Sequence, residues 1–139
     1  MDDATRAALE RDRTIDITTT GRRTGLPRRI ETWSYSVDGR VFLSGSPGRR
    51  DWYANLLANP DFVFHLKRSV HVDLRARARP VTDPAERRTI VTRIFELLGR
   101  FGDVGAWVAG SPLVEVDFPG EQYDPSSAKS PPTRRPPRT

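Results

Sequence analysis

Two segments of this 139-residue chain combine glycine with clustered arginine and hydroxyl side chains. They are Thr18-Thr19-Thr20-Gly21-Arg22-Arg23-Thr24-Gly25-Leu26-Pro27-Arg28-Arg29 and Gly45-Ser46-Pro47-Gly48-Arg49-Arg50-Asp51-Trp52. That mixture suits a phosphate or another compact anion. Glycine lets backbone N–H groups come close, Thr24 and Ser46 can donate hydroxyl hydrogen bonds, and a guanidinium presents its charge in fork geometry. The second segment also leads into the start of an expected helix, where unpaired N–H groups favour an anion. Taken singly, each segment reads better as a solvated basic turn, so the signal is the pair.

Other chemistry is narrowly bounded. The chain has no Cys, which excludes disulfides, thiolate metal sites, iron–sulfur clusters and cysteine nucleophiles. Its two histidines, His65 and His71, fall on expected neighbouring strands with no carboxylate at a metal-ligand spacing, so a packing or surface role is expected and no metal site. Nothing resembles GxGxxG or a P-loop, so ordinary nicotinamide or ATP binding is unsupported. Tyr35, Ser44 and Ser46 are weak candidates to hand over a proton. Trp33, Tyr35 and Trp107 are candidate pocket walls, with plain core as the competing reading for each.

These residues must be held by strands. Thr14 to Thr20 is β-branched and alternating, Gly21 to Pro27 is a turn, and Arg28 to Val37 resumes strand character. Asp38-Gly39 is a two-residue hairpin signal leading into the strand Val41 to Ser44. Asp51 to Ala58 reads as a short helix stopped by Asn59-Pro60. Phe62 to Leu66 and the strictly alternating Val72 to Arg79 are two more strands, the second with one solvated face. Asp83-Pro84-Ala85-Glu86 supplies an N-cap, a first-turn Pro and an acid at the third position. Ile90, Ile94, Leu97 and Phe101 then form the expected buried stripe of that helix. Leu113 to Phe118 is the last strand. An opening helix, Asp2 to Arg13, is expected to lie on the surface with a small core contribution. The order of helix, three strands, short helix, two strands, long helix and strand predicts an α+β, mainly antiparallel barrel with flanking helices.

Residues 1–118 are enough for one core and are expected to form one domain. Residues 119–139 carry six of the twelve prolines and are expected to be a disordered Pro/Arg-rich tail. The tail holds four basic and two acidic side chains, so +2 of the formal +5 belongs to it and the body is only +3. That balance, with no recognition-helix pattern and no aromatic RNA motif, argues against nucleic acid as a partner. Mean hydropathy is −0.59, and no apolar run approaches the ~20 residues of a membrane span. The acidic start, Met1-Asp2-Asp3, does not look like a signal peptide, so a cytoplasmic location is the default expectation.

The run TTTGRRTGLPRR, followed by DGRVFLSGSPGRRDWYANLLANP, a strand and an alternating strand, resembles the deazaflavin-dependent nitroreductase family in both content and spacing. The resemblance spans about residues 14–82. It implies a split β-barrel of the kind shared with FMN-binding pyridoxamine-phosphate oxidases, and deazaflavin coenzyme F-420 as cofactor. It further implies hydride transfer to an electrophilic small molecule such as a quinone, a nitroaromatic or an activated C=C. By that resemblance Arg23, Thr24 and Arg28, with Arg22 beside them, hold the cofactor's phosphate and anionic tail. Leu43, Ser44, Gly45 and Ser46 line its ring, Arg49 or Arg50 supplies the cation of the second loop, and Trp52 and Asn55 pack the short helix on the barrel. This chain departs from the family pattern at Glu31-Thr32, where a Pro-Leu pair is common, and at Pro47, where a Lys is common. FMN as cofactor, or a non-catalytic barrel binding a ligand or polyanion, are the alternatives. Split barrels often pair, so a homodimer is a candidate assembly.

Overall fold

A computed structural model describes residues 1–99 and 102–120. Its elements are α1 (Asp3–Arg11), β1 (Thr14–Thr20), β2 (Pro27–Val37), β3 (Arg40–Ser44), α2 (Asp51–Ala58), β4 (Asp61–Leu66), β5 (Val72–Pro80), α3 (Pro84–Leu98), α4 (Val104–Gly110) and β6 (Leu113–Asp117). Residues 121–139 of the expected tail, and Phe101 of the expected stripe, lie outside the described residues. No helix among the described residues is long and apolar enough to cross a membrane.

The six strands close into an antiparallel barrel in the order β1-β2-β3-β6-β5-β4, with β4 returning to β1. Alternation decides what fills it. Ile15 and Ile17 of β1, Phe62, Phe64 and Leu66 of β4, and Leu74, Ala76 and Ala78 of β5 point inward with Val41, Leu43, Val114 and Val116. Each such residue is two positions from the next on its strand, as a pleat with one buried face requires. The β2–β3 hairpin turns through Asp38 (φ 52) and Gly39 (φ 80), both left-handed as a two-residue turn of matching twist demands, and pairs Val37 with Arg40.

A second apolar layer lies outside the barrel. Tyr35, Val37, Phe42 and Leu113 face outward and are covered by Ile90, Val91, Ile94 and Phe95 of α3 and by Trp107 and Val108 of α4. Asp83 caps α3 by accepting from Glu86 N at 2.9 Å. The helix ends at Gly99, which takes a left-handed conformation (φ 63).

Three sequence expectations are corrected. α4 is an additional helix, capped by Asp103, which accepts from Ala106 N at 2.9 Å. The buried stripe of α3 is Ile90, Val91, Ile94 and Phe95, whereas Leu97 is 46% exposed, because the layer meets a face one residue around from the one the spacing suggested. α1 is not a surface ornament: Ala8 and Leu9 are fully buried in the cluster that fills the barrel.

Candidate active site

A groove runs along β2 and the N-terminal half of α2, made of three adjoining hollows. The first, of about 390 Å³, is lined by Ile30, Trp33, Ser44, Gly45, Ser46 and Trp52 among others. The second, of about 310 Å³, shares Ile30, Asp51 and Trp52 with it. The third, of about 250 Å³, shares Arg28, Asp51 and Asn55 with the second and reaches Arg22, Arg23 and Thr24. The two basic segments therefore stand at opposite ends of one channel.

At the basic end the chain folds into a tight turn. Gly21 N donates to the Leu26 carbonyl at 2.8 Å, and Leu26 N donates to Thr24 Oγ1 at 3.1 Å. A Cβ on Gly21 would lie 2.8 Å from Thr24 Oγ1, so glycine is required for this closure. The arginines there have separate fates. Arg22 is committed to α2: its N and Nη1 both donate to Asn55 Oδ1 (3.1 and 2.9 Å), and its Nη2 meets Asp51 Oδ1 at 3.3 Å. Buried Asn55 completes the tie by donating to Thr19 Oγ1 at 3.1 Å. Arg23 and Arg28 make no hydrogen bond or ion pair among the described residues, so their guanidinium groups are available to an anion.

At the other end the loop of residues 45–50 is wrapped on one side chain. Arg50 donates to the Ser46 carbonyl at 2.9 Å and to the Arg49 carbonyl at 3.3 Å, which commits it to loop structure although it lines the groove. Arg49 is exposed and stands outside the three hollows. Ser44 is fully buried and donates to the Pro112 carbonyl at 2.7 Å, so its hydroxyl proton is already used. Ser46 is exposed on the groove rim.

The sequence candidates are thus divided. Trp33, Ser44, Gly45, Ser46, Arg50 and Trp52 line the first hollow, and Arg22, Arg23, Thr24 and Arg28 the third. Leu43 does not reach the groove, because its side chain fills the barrel interior. Tyr35 and Trp107 also stand apart, in the layer beneath α3 and α4, where Trp107 packs edge-on to Phe95 with ring centroids 5.2 Å apart. Trp33 and Tyr35 share the outward face of β2, but the helices cover only Tyr35 and leave Trp33 44% exposed. Sequence reasoning missed Ile30, Asp51 and Asn55 as channel walls. Only the DWYAN stretch beside the second loop hinted at the last two.

Two carboxylates border the first hollow. Asp51 is paired with Arg22, and Glu31 with Lys67, whose ammonium also meets Asp16 at 2.7 Å. Asp16 and Glu31 hold the Lys67 ammonium above its ordinary pKa, the Asp16 hydrogen bond contributing most. On the outer sheet face, His65 bridges Thr18 (Nε2 to Oγ1, 2.7 Å) and Asp73 (Nδ1 to Oδ1, 2.7 Å) across three strands.

A channel with free cations at one end and small residues at the other invites comparison with known proteins. The sequence profile of the F-420H(2)-dependent quinone reductase family matches residues 4–109. The chain belongs to that family. Its fold is similar to that of the conserved hypothetical protein Rv2991 from Mycobacterium tuberculosis, with TM-score 0.67 and 20% identity over 86% of this chain and 81% of that one. An F-420 reductase matches with TM-score 0.61 and 18% identity, covering 81% of this chain and 90% of that one. A FAD-binding protein from Mesorhizobium loti matches with TM-score 0.59 and 13% identity, covering 85% and 90%. At these identities the neighbours establish a shared split-barrel fold, the one the sequence resemblance implied.

Proposed function

We propose that this family member is a deazaflavin-dependent oxidoreductase that binds coenzyme F-420 along the groove and reduces an electrophilic small molecule. The observation that carries this reading is the continuity of the channel from unpaired Arg23 and Arg28 to the loop Ser44-Gly45-Ser46. The donor set fits the cofactor. Two free guanidiniums and the Thr24 hydroxyl suit a phosphate with an anionic tail. The small residues at the far end leave room for a planar ring against Trp52. When bound, the reduced deazaflavin supplies the hydride; the protein supplies position and electrostatics.

The chain's own residues then have separable tasks. Arg23 and Arg28 fix the anionic end, Trp52 and Ile30 form the apolar wall between the ends, and Trp33 offers an exposed aromatic face to an acceptor. Of the three hydroxyls considered as proton donors, Ser44 is already bonded and Tyr35 is buried outside the channel. Ser46 or solvent entering the open groove is left to protonate the product. Quinones are the first acceptors to screen, with nitroaromatics and activated alkenes after them.

The test is a fluorescence titration with oxidised coenzyme F-420 and, separately, with FMN, followed by anaerobic oxidation of the reduced deazaflavin with a quinone. Preferential deazaflavin binding and quinone-dependent oxidation are expected. Binding of FMN alone, or a protein that is yellow as isolated, would move the assignment to a flavin enzyme. Binding of neither would leave a non-catalytic barrel.

A further inference from the structure

Arg87 of α3 is a buried arginine, 9% exposed, that meets no carboxylate among the described residues. Its guanidinium instead collects carbonyl oxygens. Nε donates to Val108 O at 2.7 Å and Nη1 to Val81 O at 2.8 Å. Nη2 donates to Ser111 O at 2.6 Å, with longer contacts of 3.3 Å to Trp107 O and Ser111 Oγ. Removing a cation from water without an anionic partner is costly, and an apolar side chain of similar length would join α3 to its neighbours without that cost. What an apolar side chain cannot do is gather four carbonyls from two segments around one planar fork. Three of them, from Trp107, Val108 and Ser111, are at the end of α4, where the helix dipole favours a cation, although the Trp107 carbonyl also accepts from Ser111 N at 2.9 Å.

The segment so gathered touches the groove. Gly110 O accepts from Gly48 N at 3.1 Å, and Pro112 O accepts from buried Ser44 Oγ at 2.7 Å. Both donors belong to the strand end and loop that wall the small-residue end of the channel. Among the described residues, the loop's other hydrogen bonds are those Arg50 donates to the Ser46 and Arg49 carbonyls, and one at 3.2 Å from Ala54 N to Arg50 O where the loop enters α2. The two segments are also packed together at this point, since a Cβ on Gly110 would meet the Pro47 side chain at a contact distance of 3.4 Å.

We propose that Arg87 is a positioning residue for the groove: acting through residues 107–112, it fixes the loop of residues 45–50 and so sets how tightly the ring end of the cofactor is held. The cofactor part rests on the reading given under Proposed function. The loop part does not.

The experiment compares full-length wild type with Arg87→Met, Arg87→Lys and a barrel-interior control, Leu66→Ala, at a temperature where circular dichroism shows each folded. Three readouts are followed: amide exchange at Gly48, native-state tryptic cleavage after Arg49 and Arg50, and affinity for oxidised coenzyme F-420. Arg87→Met should speed Gly48 exchange and loop cleavage about tenfold or more, since the loop opens locally without global unfolding. Deazaflavin affinity should fall about tenfold. Arg87→Lys, which keeps the charge but loses the fork, should fall between. Leu66→Ala should leave loop exchange and cleavage at wild-type rates even if its melting temperature drops further. Unchanged Gly48 exchange in Arg87→Met, or an equal increase in Leu66→Ala, would overturn the proposal. Should Arg87→Met fail to fold, Arg87→Lys against the control decides the same question. If wild type binds no deazaflavin, the cofactor reading falls, while exchange and cleavage still judge Arg87.

Discussion

Arg22 and Arg23 are neighbours in sequence with opposite commitments. Arg22 gives its backbone and side-chain donors to buried Asn55, whereas Arg23 has none of its donors engaged among the described residues. Substitution should therefore separate binding from stability. Arg23→Ala and Arg28→Ala are each expected to weaken deazaflavin binding about 10- to 100-fold, the range of a charged hydrogen bond worth about 1.5–3 kcal/mol, with little change in melting temperature. Arg22→Ala should do the reverse in part, costing about 1–2 kcal/mol of stability because Asn55 loses a donor while buried. Parallel cofactor titrations and thermal melts check this; equal losses of binding and stability at all three positions would contradict it. Ser44→Ala belongs with Arg22, since its hydroxyl is bonded to Pro112 O, and about 1 kcal/mol of stability is expected to go with it. Charge, glycine and hydroxyl content marked both ends of the channel in the sequence. Whether a given guanidinium is free or already bonded was not written there, because Arg22 and Arg50 find their acceptors only after α2 and the loop of residues 45–50 are folded.

At the scale of elements, the legible parts were those whose signals are local. The alternation of β1 and β5, the Asp38-Gly39 hairpin and the Asp83 cap are all decided within a few residues, and all are present. The illegible parts depend on what lies opposite. α4 contains Gly105 and ends on Gly110 over only seven residues, a weak helix by propensity, and it exists because Trp107 and Val108 have an apolar layer to enter. Tyr35 could not be told from a pocket wall, since its strand face is half covered and half open. α1 is the sharpest case: its composition suggests a surface helix, yet Leu9 is 1% exposed among barrel residues. Leu9→Ala is expected to cost about 2–5 kcal/mol in denaturant unfolding, as a buried leucine does. A helix merely resting on the surface would lose within ±0.5 kcal/mol, so a result in that range would remove α1 from the core.

Across the whole molecule, one belt of charge crosses the outside of the barrel and ties it to α3. Arg40 of β3 grips Glu115 of β6 with two hydrogen bonds of 2.9 Å; Arg79 of β5 reaches Glu115 Oε1 at 2.8 Å and Glu86 Oε2 of α3 at 2.7 Å. The hydrogen bonds from Arg40, opposed by burial and helped by Arg79, hold the Glu115 carboxyl below its ordinary pKa, and those from Arg79 do the same for Glu86. A carboxyl depressed in the folded state contributes stability above its unfolded pKa, about 4.3 for Glu, and loses it as pH falls through the folded value. The melting temperature should therefore be nearly level from pH 8 to about 5 and fall below about pH 4, with steeper loss at low salt where exposed partners are screened less. Glu115→Gln should lower stability at pH 7 by about 1–3 kcal/mol, because Glu115 is the less exposed partner and both arginines lose their shared anion. It should also flatten the acid limb, so that mutant and wild type converge near pH 3. Asp16, lowered by Lys67 and Arg29 against its own burial, keeps part of that limb in the variant. Thermal melts from pH 3 to 8 decide the matter: curves that stay parallel throughout would mean that Glu115 is not a source of acid sensitivity, and that the barrel is held against α3 by the apolar layer beneath the belt.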